Sequence, residues 1–186
     1  ELKNIKKIAE KFGKKVSVGL RLNPNIDAKT NTKISTGRIQ DKFGLNGNDI
    51  IKILNKFKNF KNIKIKCLSV HIGSQITQNK PYNNVLVAIN KILSKSKYKF
   101  EYIDLGGGMG ISYIKNNKKL DYSKLSKNIY KFSKKNNCKI IFEPGRSIVG
   151  NTAVLLTKVI YIKNSSNKKF IIIDAGMNDL IRPALY

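Results

Sequence analysis

Three stretches of this 186-residue sequence end an apolar run in groups able to do chemistry. Ile140-Ile141-Phe142 runs into Glu143-Pro144-Gly145-Arg146: a carboxylate, a chain-turning pair and a guanidinium. Val70 runs into His71-Ile72-Gly73-Ser74-Gln75, and Asp104-Leu105 into Gly106-Gly107-Gly108-Met109-Gly110. A buried parallel strand that delivers polar groups at its C-terminal edge looks like this. The three stretches together describe one site.

The chemistry they can support divides at each position. The glycines let backbone N–H groups approach an anion, typically phosphate, or else serve a tight turn that needs positive φ. Their spacing departs from the dinucleotide-binding fingerprint, and no ribose-binding acid stands at the expected distance. His71 is the single histidine. It is either a hydrogen-bonded core residue or a flat ring that stacks on a planar cofactor, with the Ser74 hydroxyl reaching the same phosphate. Glu143 is a surface or capping carboxylate, or a partner that keeps a pyridine nitrogen protonated and so makes the ring an electron sink. Arg146 is structural, or holds a phosphate or a substrate carboxylate. Each bland reading is respectable alone. Three successive junctions giving an anion nest, an aromatic stacker and a pyridine partner by accident is a poor account.

Composition bounds the rest. The 37 basic and 11 acidic residues leave a net charge of +26. The lysines are scattered through every helical pattern, with no basic run interleaved with aromatics as a base-stacking surface needs, so nucleic acid is not the expected partner. Only four basic residues are arginine, namely Arg21, Arg38, Arg146 and Arg182, all in Gly- or Pro-punctuated segments. Where lysine serves everywhere else, arginine points to a carboxylate or phosphate that needs its planar fork. No run of about 18 apolar residues exists, so no membrane span is expected. Cys67 and Cys138 lack metal-type spacing, no metal is expected, and both read as buried free thiols in a reducing cytoplasm. The chain starts at Glu1 and stops at Tyr186 inside a patterned segment, which reads as a piece of a longer protein.

Those groups need elements to position them. Leu2, Ile5, Ile8 and Phe12 recur at helical spacing, and Gly13 stops that helix. Val16 to Leu22 alternates like a strand. A long polar loop spans residues 25–47, too long for a casual connection. Asn48 can cap a helix carrying Ile51, Leu54 and Phe57. Lys66 to Val70 reads as a strand, Tyr82 to Leu93 as a helix, Phe100 to Leu105 as a strand. Leu125, Ile129 and Phe132 mark a helix, and Lys139 to Phe142 a fourth strand. This alternation implies an α/β fold with a parallel sheet, and the repeated polar strand ends favour a barrel, whose strand C-termini share one mouth. After Arg146, Val154 to Ile162 and Phe170 to Ile173 read as the opening of an all-β domain. The expected division is 1–150 and 151–186.

At this point the sequence resembles the fold-type III pyridoxal-phosphate decarboxylases, which pair an alanine-racemase-like barrel with a β domain. The resemblance is carried by His71-Ile72-Gly73-Ser74-Gln75, by Leu105 to Gly110 and by Glu143-Pro144-Gly145-Arg146. Arg21-Leu22-Asn23-Pro24, Ile34-Ser35-Thr36-Gly37, Lys42-Phe43-Gly44 and Asp174 to Tyr186 narrow it to the diaminopimelate decarboxylases. The resemblance implies that this chain is the C-terminal half of a (β/α)8 TIM barrel leading into the β domain. It implies pyridoxal 5′-phosphate as cofactor. His71 would stack on its ring, and Ser74, Gly107, Gly108 and the turn Glu143, Pro144, Gly145, Arg146 would bind it, with Glu143 at the pyridine nitrogen. Arg146, Arg182 and Tyr186 would hold substrate carboxylate. The implied reaction is loss of CO2 from the D-centre of meso-2,6-diaminopimelate, giving L-lysine, in a cytoplasmic homodimer with shared active sites. A sister decarboxylase acting on ornithine, arginine or carboxynorspermidine is the alternative; the arginine pair at the distal end argues against it, because only diaminopimelate has a second carboxylate there. The family's Schiff-base lysine lies upstream of Glu1, and its partner-subunit cysteine loop beyond Tyr186. These 186 residues alone are expected to decarboxylate nothing. The family usually has a histidine where Asn31 stands.

Overall fold

The computed structural model describes residues 1–29, 34–57, 60–113 and 119–181. They form two compact units, Glu1–Ile148 and Val149–Tyr186.

The first unit alternates helix and strand: α1 (Leu2–Lys11), β1 (Val16–Arg21), α2 (Gly47–Phe57), β2 (Ile63–Ser69), α3 (Asn79–Ser96), β3 (Tyr102–Asp104), α4 (Tyr122–Asn136), β4 (Lys139–Ile141) and α5 (Arg146–Val149). The four strands are all parallel and lie in chain order, β1-β2-β3-β4. Helix α2 packs on α3, and α3 on α4. A doubly wound sheet reverses its strand order and covers both faces. Here the order never reverses and the helices lie side by side, which is the arrangement of a barrel wall.

Register sorts the two faces of that wall. One rung, Leu20, Leu68 and Ile103 with Ile140, turns toward the helices. The first three are buried against Ile50, Leu54, Val85, Ile89, Leu125 and Ile129 in one apolar core. The next rung is Arg21, Ser69, Asp104 and Ile141. Side chains alternate along a strand, so this rung faces the opposite side. The sheet thus carries its apolar residues outward to the helices and its polar ones inward.

The second unit contains a two-stranded antiparallel hairpin of β5 (Val159–Ser165) and β6 (Lys168–Ile173). Several boundaries differ from the sequence reading. Helix α2 starts at Gly47 and is capped by Asn46, whose Oδ1 accepts the Asp49 N–H at 2.9 Å, so Asn48 lies inside the helix. Strand β2 begins three residues before Lys66, at Ile63. Residues 154–158 lie outside any strand. Arg21 ends β1 and Arg146 opens the short helix α5. Both cysteines are free, but Cys67 is only half-buried, because its side chain lies on the polar inner face.

Candidate functional site

Parallel pairing continues beyond the strands. Val70 N–H donates to Asp104 C=O at 2.9 Å, Leu105 N–H to Ile141 C=O at 3.0 Å, and Glu143 N–H to Gly106 C=O at 2.9 Å. This carries the three polar strand ends into register and sets His71, Gly106 to Gly108 and Glu143 side by side. The three stretches singled out by residue type therefore meet at one sheet edge.

The His71 ring is held by its neighbour. Gly107 N–H donates to Nδ1 at 3.3 Å. An accepting Nδ1 carries no proton, so the neutral ring is protonated at Nε2. Burial lowers the His71 pKa below its ordinary value, Arg21 adds to this, and Glu143 and Asp104 oppose it. From the other side the Thr36 hydroxyl donates to the His71 carbonyl at 2.7 Å. The loop of residues 25–47 is thereby tied to the site. Asn23 pins it through Nδ2 contacts to the carbonyls of Arg38 and Phe43, at 2.7 and 3.2 Å.

The glycine segment is shaped more than the sequence suggests. Gly106 N–H is taken by Asp104 Oδ1 at 2.8 Å, an Asx turn. Gly107 N–H is taken by His71. Gly108 N–H has no partner among the described residues and stands half-buried at the rim. A Cβ on Gly107 would run into the Glu143 carbonyl, and one on Gly108 into the Gly73 carbonyl. Gly108 also has φ +90°, outside the range of ordinary side chains. Behind them, the buried Tyr82 hydroxyl on α3 donates to the Gly107 carbonyl at 2.8 Å. Its burial pushes that phenol well above its usual pKa.

Arg146 reaches across the rim. Its Nη2 lies 3.5 Å from Ser74 Oγ, while Nη1 donates to Tyr113 Oη at 2.6 Å. One guanidinium thus links the end of β4 to the end of β2. Below the rim, Arg21, Ser69, Val70, His71, Asp104 and Glu143 line a cavity of about 280 Å³. Pro144 and Gly145 form the exposed turn between Glu143 and α5. Arg182 and Tyr186 lie outside the described residues, as does Asn31.

Residue types alone gave no role to Asp104 or Gln75, although both lie in the stretches singled out, and did not point to Tyr82 or Tyr113 as parts of this site. Asp104 had a signal, since an Asp two residues before a glycine is an Asx-turn pattern. The others act through contacts tens of residues away, which leave no local pattern. Among the described residues no helix is long and apolar enough to cross a membrane, and no cluster of three metal-ligating side chains occurs.

Comparison with known proteins relates the sequence and the fold to one family. A family model described as "Pyridoxal-dependent decarboxylase, pyridoxal binding domain" matches residues 1–150. The diaminopimelate decarboxylase of Zymomonas mobilis is 40% identical over 193 residues, covering 100% of this chain and 45% of that protein. The crystal structure of diaminopimelate decarboxylase from Helicobacter pylori complexed with L-lysine superposes with a TM-score of 0.88 at 37% identity, over 100% of this chain and 47% of that one. The corresponding enzyme from M. jannaschii, also in complex with L-lysine, gives a TM-score of 0.78 at 34% identity, over 98% and 44%. The chain spans slightly under half the length of these relatives.

Proposed function

This chain belongs to the pyridoxal-dependent decarboxylase family, and we propose that the full-length protein removes one carboxyl group of meso-2,6-diaminopimelate as CO2 to leave L-lysine. The observation that carries this reading is the convergence of His71, the glycine cradle and Glu143 at one sheet edge, tied by the Gly107–His71 and Glu143–Gly106 hydrogen bonds.

The residues fit a phosphorylated pyridine. Gly107 and Gly108 pack so closely on the Glu143 and Gly73 carbonyls that neither could carry a side chain. Arg146 Nη2 lies 3.5 Å from Ser74 Oγ, and the Gly108 N–H has no partner among the described residues. The Gly108 N–H, the Ser74 hydroxyl and the Arg146 guanidinium would hold the phosphate of pyridoxal 5′-phosphate. When bound, that cofactor supplies an electron-withdrawing ring that accepts the electron pair left by departing CO2. His71, neutral and fixed by Gly107, offers a flat face for that ring without competing for its proton. Glu143 would hold a proton at the pyridine nitrogen, with Pro144 and Gly145 fixing its backbone. Arg146 stands at the rim where a substrate carboxylate would sit, and Arg182 and Tyr186 are the further residues we assign to substrate carboxylate. A second carboxylate at the distal end distinguishes diaminopimelate from ornithine and arginine. We place the whole protein in the cytoplasm as a homodimer with shared active sites, and the second unit as the beginning of its β domain.

The test is turnover of the full-length protein on meso-diaminopimelate beside ornithine, arginine and carboxynorspermidine. Diaminopimelate should exceed the others in kcat/KM by at least about a hundredfold, since an unpaired site arginine is costly to bury. Equal turnover of ornithine would sink the substrate assignment. Glu143→Gln should retain bound cofactor and lose about a hundredfold or more in kcat. Unchanged kcat would remove Glu143 from its role.

A further inference from the structure

We propose that Gln75 is a positioning residue: its side chain clasps the loop carrying the glycine cradle to the loop carrying Ser74, and this clasp sets the affinity for the cofactor phosphate. The inference rests on the pyridoxal-binding reading above and adds a residue to it. Gln75 adopts φ +63°, a left-handed conformation that any residue with a Cβ adopts reluctantly and glycine adopts freely. Something other than backbone preference therefore keeps a glutamine here.

Its amide shows what. Nε2 donates to the Ile111 carbonyl at 2.6 Å, and Oε1 accepts the Ile111 N–H at 3.2 Å. Both backbone groups of one residue are satisfied by one side chain. The adjoining rung is backbone to backbone: Ile76 N–H donates to Gly108 C=O and Gly110 N–H to Ile76 C=O, both at 2.9 Å. Ile76 bridges Met109 in parallel, and the Gln75 amide adds a second tie two residues further along the partner loop, at Ile111. Gly110 fits this approach closely, since a Cβ there would stand 2.9 Å from the Gln75 carbonyl carbon.

The ladder matters because of what flanks it. Ser74 precedes Gln75, and Gly108 is a ladder partner whose own N–H has no partner among the described residues. Sliding one loop against the other changes the separation of the Ser74 hydroxyl from the Gly108 N–H. Without the clasp, Ile111 loses both partners and the ladder frays toward Gly108.

Two variants of the full-length protein separate the clasp from the backbone strain. Gln75→Gly removes both. Gln75→Met removes the clasp and keeps the strain. After cofactor removal, equilibrium binding of pyridoxal 5′-phosphate and the melting temperature are measured for each. Both variants should raise Kd about tenfold, as expected for losing two hydrogen bonds that order a binding loop. The melting temperature of the cofactor-free protein should be unchanged or higher for Gln75→Gly and lower for Gln75→Met. Amide exchange at Ile111 should speed up in both. Wild-type Kd in Gln75→Gly, or in Gln75→Met should the glycine variant not fold, overturns the clasp and leaves the cofactor reading intact. Failure of the wild-type protein to bind pyridoxal 5′-phosphate overturns both.

Discussion

A single histidine held neutral has a consequence that pH exposes. The folded protein keeps the His71 pKa below its ordinary 6.5, first by burial and then by Arg21. As pH falls, the unfolded chain takes up this proton before the folded one does. The stability that His71 contributes is therefore complete above about pH 6.5 and is lost as pH drops from there through the lower folded value. An NMR titration of the cofactor-free full-length protein, with the signal assigned by comparison with His71→Asn, should give a midpoint below 6.5. A midpoint above it would mean that the Glu143 and Asp104 carboxylates outweigh burial and Arg21. The arginines tell a related story. Arg38 Nη2 pairs with Asp41 Oδ1 at 3.3 Å, so one rare guanidinium serves a carboxylate of its own loop. Burial raises the Asp41 pKa, but the Arg38 N–H, the Ser35 hydroxyl and the guanidinium outweigh it and hold the carboxyl below its usual range. The expectation that arginine marks a carboxylate holds at Arg38, with an internal partner in place of a ligand.

At the scale of elements, what was legible in the sequence followed from periodicity and from strand ends. Helices α3 and α4 show their buried stripes as Tyr82, Val85, Leu86, Ile89 and as Leu125, Ile129, Phe132. The polar strand ends were legible because they break an apolar run. The start of β2 was missed although Ile63-Lys64-Ile65-Lys66 alternates buried and outward-facing residues as a half-buried strand does. The α2 cap was misplaced because two asparagines flank Gly47 and only geometry chooses between them. The Gln75 clasp was invisible because it joins residues 36 apart. Helix α4 offers a test of local capping. Asp121 Oδ1 accepts the Lys124 N–H at 2.8 Å, and the Asp121 backbone exchanges two hydrogen bonds with Asn79 at the start of α3. The cap thus sets both the start of α4 and its height beside α3. Asp121→Ala in the full-length protein should cost about 1 kcal/mol in denaturant unfolding, and Asp121→Asn should restore most of it. An unchanged midpoint for the alanine variant would show the cap idle.

In these 186 residues taken alone, two forces oppose each other. Within these 186 residues the sheet has two outer strands, β1 and β4, which a closed barrel would pair with further strands. An outer strand offers a row of backbone donors and acceptors to another chain. Ile141 and Phe142, at the end of β4, are exposed. Opposing association is a net charge of +26, with both outer strands carrying a cation, Arg21 and Lys139. Among the described residues only four ion pairs absorb any of that charge. Repulsion between copies reaches about 30 Å at 0.01 M salt and only about 8 Å at 0.15 M, whereas strand pairing is insensitive to salt. The 186 residues expressed alone should therefore be most dispersed at low ionic strength and should associate as sodium chloride rises toward 0.3 M. Charge-driven binding to a polyanion has the reverse dependence, weakening with salt. Light scattering against salt concentration separates the two. Replacing Ile141 with lysine adds a charge to the edge and should shift the onset to higher salt. Association that falls as salt rises would show that ionic contacts, and not the sheet edges, bring copies together.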